Sequence, residues 1–134
     1  MCSSDLIRIP TNAGQSEISI QGVRRLIDAG AVDYINYDVS EGGGVTDWRR
    51  AAALCAASGI QMAHHEEAQI STHLLASIPH GTYAEYFAHP DRDPMWQTVW
   101  TNRPQVKNGH IKINDTPGFG IELDEKVIKK YRVG

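Results

Sequence analysis

Val32-Asp33-Tyr34-Ile35-Asn36-Tyr37-Asp38-Val39, residues 32–39, is rich in Val, Ile and Tyr, the composition of a strand, and carries a carboxylate near its end. A second run, Ile60-Gln61-Met62-Ala63, leads into His64 and His65, with a helical pattern between the two. Upstream, residues 6–13 read as a short strand ending at Gly14 and Gln15. Downstream, Thr82 to Phe87 reads as a fourth run and carries Glu85. Strand and helix patterns alternate about every 20 to 27 residues, the signature of a parallel sheet with right-handed crossovers. In such an array every strand points the same way. Gln15, Asp38, His65 and Glu85 should therefore converge on one rim, where barrel and open-sheet active sites lie.

The connecting segments support this reading. Ser16 is placed to cap a first helix, with Glu17 favourable in its first turn. Ile20, Val23, Leu26 and Ile27 form its stripe and Gly30 ends it. Gly42-Gly43-Gly44 is either a flexible loop or a close backbone approach to a ligand at a helix N-terminus. It lacks the Gly-x-Gly-x-x-Gly dinucleotide pattern. A second helix beginning near Thr46 takes its stripe from Val45, Trp48, Ala52 and Cys55 and stops at Gly59. A third occupies residues 67–77 and is broken by Pro79-His80-Gly81. After Phe87 the alternation ends. Residues 88–108 read as a long surface excursion, Gly109 to Asn114 as an exposed strand, Pro117 to Gly120 as a turn, and Asp124 to Tyr131 as a short amphipathic helix. Four strands cannot close an eight-stranded barrel, and the outer two are left as bare edges. The expectation is a poorly ordered lead over residues 1–5 and, over 6–134, half of something larger.

Composition narrows the function classes. At 134 residues and 41% apolar content the chain is one globular domain rather than a disordered segment. A net charge of −3 leaves no basic footprint for nucleic acid. No apolar run is long enough for a membrane span, and Met1 to Asp5 does not have the makeup of a signal peptide. Two cysteines, Cys2 and Cys55, do not make a disulfide framework, so a reducing cytoplasm is expected. Cys55 is either a small apolar filler between helix and sheet or a reactive thiol, although no basic residue on its face would stabilise a thiolate.

Asp38 and His65 end adjacent strands, an arrangement that brings a carboxylate to one imidazole nitrogen and leaves the other free to move a proton. The same spacing also suits a purely structural pair. Glu85 shares a strand face with Tyr83 and Phe87 and points either into the lumen or to solvent. In the lumen it could donate a hydrogen bond, as protonated buried carboxyls do.

Taken together, Asp38 through Trp48, Met62-Ala63-His64-His65, Ile70-Ser71-Thr72-His73-Leu74-Leu75, Glu85, Gly109-His110-Ile111-Lys112-Ile113 and Pro117-Gly118-Phe119-Gly120-Ile121-Glu122-Leu123 resemble the mandelate racemase/muconate lactonizing enzyme group of the enolase superfamily. The resemblance covers roughly residues 6–133. It implies an α/β fold, the C-terminal half of a (β/α)8 TIM-like barrel with about four parallel strands plus a strand and helix tail. It implies that Asp38 and His65 are the catalytic dyad, that Glu85 stabilises an enolate-like intermediate, and that His64 is a neighbour in contact with substrate. The family holds Mg²⁺ with three acidic residues, and the resemblance places Gln15 at one of these positions. An amide oxygen adds no negative charge, so the ion should be weakly held or absent unless Glu17 substitutes. Glu17 otherwise only decorates its helix N-terminus.

The remaining metal ligands and the base of the opposite face would lie outside this sequence. The expected activity is that of a lyase: Mg²⁺-dependent dehydration of a sugar acid by α-proton abstraction, in a longer protein that forms homo-oligomers. A racemase or epimerase of a 2-hydroxy acid is the nearest rival. An inactive fragment is the rival from another class, since the 134-residue chain alone is expected to show no turnover.

Overall fold

The computed structural model describes residues 9–89 and 91–133. The poorly ordered lead expected over residues 1–5, and the start of the strand expected from residue 6, lie outside them. Four strands, β1 (Asn12–Ala13), β2 (Tyr34–Asn36), β3 (Gln61–His64) and β4 (Gly81–Ala84), form one parallel sheet in chain order. Helices α1 (Ile20–Asp28), α2 (Gly44–Ala57) and α3 (Ala68–Ala76) make the crossovers. Among the described residues no helix is long and apolar enough to cross a membrane.

The core lies between the sheet and these helices. Ile35 and Met62, central in β2 and β3, are fully buried. On α2 the residues Trp48, Ala51, Ala52 and Cys55 recur at helical spacing and are all buried. Val45, in the first turn, is not part of that stripe: it is 41% exposed. Cys55 is the apolar filler: burial pushes its thiol up to about 12, so it stays protonated.

Other expectations shift at their edges. Helix α1 starts at Ile20 with Ser19 as its N-cap, not at Ser16, because residues 14–17 form a turn in which the Glu17 N–H bonds the Gly14 carbonyl. Helix α2 starts at Gly44 with Gly43, at φ 87°, as its N-cap. The excursion over 88–108 contains a short helix, α4 (Pro94–Thr98), capped by the Asp93 side chain. Residues 109–114 are not a lone strand. β6 (His110–Ile111) pairs antiparallel with β5 (Val106–Lys107) across Asn108-Gly109, both at positive φ, a strong hairpin signal in the sequence. The expected C-terminal helix is α5 (Glu125–Tyr131), and Asp124, read as its first residue, is its N-cap, accepting from the Lys126 and Val127 N–H groups.

Close packing of β4 on α3 depends on one glycine. A Cβ at Gly81 would overlap the backbone carbonyl of Leu75 in α3. Gly81→Ala should therefore force strand and helix apart and cost about 1–3 kcal/mol. The expected readout is a lower urea midpoint with an unchanged m-value. An unchanged midpoint would show that this contact yields freely.

Candidate active site at the carboxyl ends of the strands

Asp38 lies two residues beyond β2, His65 directly after β3 and Glu85 directly after β4. The β2–β3 register pairs Asn36 with Ala63, which carries Asp38 and His65 forward side by side. His65 Nδ1–H donates to Asp38 Oδ2 at 2.8 Å. The other carboxylate oxygen, Oδ1, accepts from the Ser40 backbone N–H (2.7 Å), the Ser40 hydroxyl (2.7 Å) and the Glu41 N–H (3.2 Å). This is an Asx-type turn closing on its own backbone. Burial by itself raises the Asp38 carboxyl. The hydrogen bonds from Ser40, His65 and the backbone outweigh it and hold the group below its ordinary value. An ionised Asp38 fixes the His65 proton on Nδ1 and leaves Nε2 free at the rim.

His65 Nε2 lies 3.6 Å from Glu85 Oε2 and 3.9 Å from Glu66 Oε1. Glu85 is thus on the His65 side of the sheet rather than turned away. It is held there by the Glu66 N–H, which donates to its Oε2 at 3.2 Å. A bulge between Met62 and His64 in the β3–β4 ladder precedes it, and the Glu85 N–H then bonds the His64 carbonyl at 3.0 Å. Glu66 and Glu67 both adopt left-handed backbone, at φ 47° and 48°. Each such residue costs on the order of 1–2 kcal/mol. The pair turns the chain sharply from β3 into α3 and aims the Glu66 N–H at Glu85. Burial, then the charge of Asp38, raises the Glu67 carboxyl, whose Oε2 is buried without a hydrogen bond.

His64, expected as a neighbour of the substrate, is fully buried: its ring stacks on Trp48, and both ring nitrogens are engaged by backbone groups. Two glycines of the triplet are explained by protein neighbours, and Gly44 by its left-handed φ of 81°. A Cβ at Gly42 would strike the Tyr37 ring, whose hydroxyl donates to the Gly42 carbonyl, and one at Gly43 would strike Asp47. Glu17 folds back over Gly22, with Arg25 at 3.7 Å, and so decorates α1. Gln15 sits in an exposed turn just beyond β1, at the same end of the sheet as the dyad.

Sequence reading missed Ser40 and Glu41 as the groups that hold Asp38, although Asp-x-Ser is an Asx-turn pattern. It also missed the Glu66-Glu67 bend. That bend has no local signal, since left-handed glutamates are set by tertiary packing.

Among the described residues, Asp38, Glu41 and His65 bring possible metal-ligand atoms within 4.8 Å of one another. Asp38 already spends both oxygens on hydrogen bonds, and the His65 nitrogen nearest it carries the shared proton. A magnesium ion demands an octahedral oxygen shell rich in carboxylate. Gln15 offers one neutral oxygen toward it. The residues described here do not by themselves fit that ion.

A family model described as enolase C-terminal domain-like matches residues 3–127. The chain is 32% identical over 129 residues to a D-galactonate dehydratase family member of Salmonella enteritidis, and 31% identical over 129 residues to another of Musicola paradisiaca. Each match covers 91% of this chain but only 30% of the relative's length. A mandelate racemase/muconate lactonizing enzyme from a marine actinobacterium, solved in complex with magnesium, superposes with a TM-score of 0.87 at 52% identity. That match takes in 94% of this chain and 35% of the solved one. L-talarate dehydratase from Polaromonas sp. JS666, solved with Mg and L-glucarate, shares the fold at TM-score 0.82 and 24% identity, over 94% of this chain and 34% of its own. The four-stranded parallel sheet is accordingly part of a TIM-like barrel domain.

Two outcomes follow from these charges. A carboxyl whose folded value is raised stabilises the fold below its unfolded value and loses that contribution as pH climbs through the folded one. Glu67→Gln should therefore raise the melting temperature at neutral pH and leave it unchanged at acid pH, where Glu67 is already neutral. A lower melting temperature at neutral pH would mean that the ionised Glu67 is paired. Calorimetric titration of the chain with Mg²⁺ should show weak binding or none. Tight binding abolished by Asp38→Asn would establish the Asp38–Glu41–His65 cluster as an ion site.

Proposed function

We propose that this chain, which belongs to the enolase C-terminal domain-like family, carries one arc of the active site of a sugar-acid dehydratase that works by α-proton abstraction. The observation that carries the reading is the ionised Asp38 holding the His65 proton on Nδ1, with Nε2 beside Glu85. The names of the 31–32% identical relatives supply the substrate class, a sugar acid.

In this proposal His65 acts through Nε2. Doubly protonated, it gives its Nε2 proton to the departing β-hydroxyl, which leaves as water while the α-proton passes to a base on the opposite face. The resemblance places that base outside this chain. The enol product then tautomerises to a 2-keto acid. Asp38 orients the ring and stabilises its charged form before the proton leaves. Glu85 sits at the rim where, in its protonated form, its O–H can donate to oxygen on the substrate as charge develops there. Solved relatives bind magnesium. Because the described residues do not make a site for it, no step here runs through an ion, and Gln15 is assigned at most one neutral contact to it.

The test uses the longest polypeptide that the gene encodes, incubated with a panel of sugar acids in D₂O. A 2-keto acid product is expected, and His65→Asn should lower kcat by about 10²–10⁴ fold. Deuterium incorporation with inversion and no 2-keto acid would replace dehydration by epimerisation. The 134-residue chain by itself should show no turnover, because among the described residues its sheet is four strands with β1 and β4 at open edges.

A further inference from the structure

His64 plays no part in the chemistry just proposed, yet it is the most completely enclosed polar group beside it. Its exposure is 0%, and its ring lies 6.2 Å from the Trp48 ring, centroid to centroid, at an interplanar angle of 28°. Nε2 lies 3.2 Å from the Val39 backbone nitrogen. A backbone N–H can only donate, so Nε2 accepts and carries no proton. The ring proton must then sit on Nδ1, where it is donated to the His65 carbonyl oxygen at 2.6 Å. One neutral tautomer satisfies both bonds and no other does. Burial also pushes the imidazole below its ordinary value, in agreement with a neutral ring.

What these two bonds join matters more than their number. The β2–β3 ladder ends at the Asn36–Ala63 pair, so the sheet itself does not tie the backbone at Asp38 to the backbone at His65. The His64 ring bridges that gap. One end holds Val39, the residue after Asp38, and the other holds the carbonyl of His65. We propose that His64 is a positioning residue, a neutral imidazole brace that sets Asp38 against His65 from beneath the rim. The brace needs both nitrogens, spaced as an imidazole spaces them, and it needs a dry setting in which neither bond is traded for water. Trp48 supplies one wall of that setting. The inference rests on reading Asp38 and His65 as the proton-transfer pair, although the brace itself is a matter of geometry.

The experiment has two parts. Long-range ¹H–¹⁵N spectra of histidine-labelled chain should show His64 at neutral pH as the Nδ1–H form with an unprotonated Nε2. They should also show a His65 Nδ1–H resonance moved downfield by Asp38. A proton on His64 Nε2 would overturn the proposal, whatever the enzyme does. His64→Leu removes both anchors, His64→Gln keeps an acceptor near the Nε2 position, and His64→Asn keeps a donor near the Nδ1 position. The His65 resonance should be lost in His64→Leu and partly recovered in the two single-anchor variants.

In the longest polypeptide that the gene encodes, kcat should fall about 100-fold in His64→Leu, with KM little changed. His64→Gln should recover part of that loss. A folded His64→Leu that keeps the His65 resonance and its kcat sinks the brace. Should His64→Leu fail to fold, both single-anchor variants behaving as the unaltered protein would sink it equally. Full turnover in His65→Asn with the brace signals intact would instead end the functional reading and leave the geometry standing.

Discussion

Parallel pairing of β2 with β3, Tyr34 against Gln61 through Asn36 against Ala63, is the constraint on which the rest depends. It places two strand ends at the same height, and everything chemical in this chain is built on those ends. The pairing is secured from behind. Ile35 and Met62 are buried from the two strands, and Trp48, Ala51, Ala52 and Cys55 bury the facing stripe of α2. A parallel ladder cannot be closed by a tight turn, so the crossover helix is obligatory and its apolar stripe is what holds the two strands in register. Slip of β3 by one residue would exchange the buried and rim-facing sides of His64 and His65.

Beyond the ladder the backbone is irregular, and each irregularity satisfies a polar group. The Ser40 and Glu41 N–H groups turn back onto Asp38, the Val39 N–H finds the His64 ring, and the left-handed Glu66 presents its N–H to Glu85. Backbone donors at the end of a sheet have no ladder partner and must bond something else when they are covered. Here the partners are the titratable side chains themselves, so completing the backbone and setting protonation states become the same task. Asp38 is held ionised by donated hydrogen bonds, His64 is held neutral by burial and by an N–H aimed at Nε2, and the Glu67 carboxyl is raised by burial and by the charge of Asp38. Ionisable groups around His65 are thereby biased in different directions, Asp38 downward by donated hydrogen bonds and Glu67 upward by burial. Such divergence is characteristic of sites that move protons.

The two edges of the sheet stand in contrast to its centre. Among the described residues β1 and β4 each have one strand partner, and Tyr83 of β4 is 65% exposed beside Tyr34. The chain spans about a third of the length of the solved relatives it matches, and its rim is correspondingly an arc.

How much of this was legible in advance follows from the range of each interaction. Alternation of strand and helix patterns, the stopping glycines, the C-terminal helix and the apolar identity of Cys55 depend on neighbours a few residues away, so composition and spacing reveal them. The gathering of Asp38, His65 and Glu85 on one rim also follows from the sequence once the strands are taken as parallel, because direction alone carries their ends together. Tertiary structure decided what local pattern cannot encode. It decided which of two adjacent histidines faces the rim, since that depends on the phase of β3 against β2 and on the space beside Trp48. It decided that glutamates 66 and 67 adopt left-handed backbone, a conformation that glutamate does not choose for itself. And it decided the charge on each buried group, because desolvation and donated hydrogen bonds arise only when distant segments close around them.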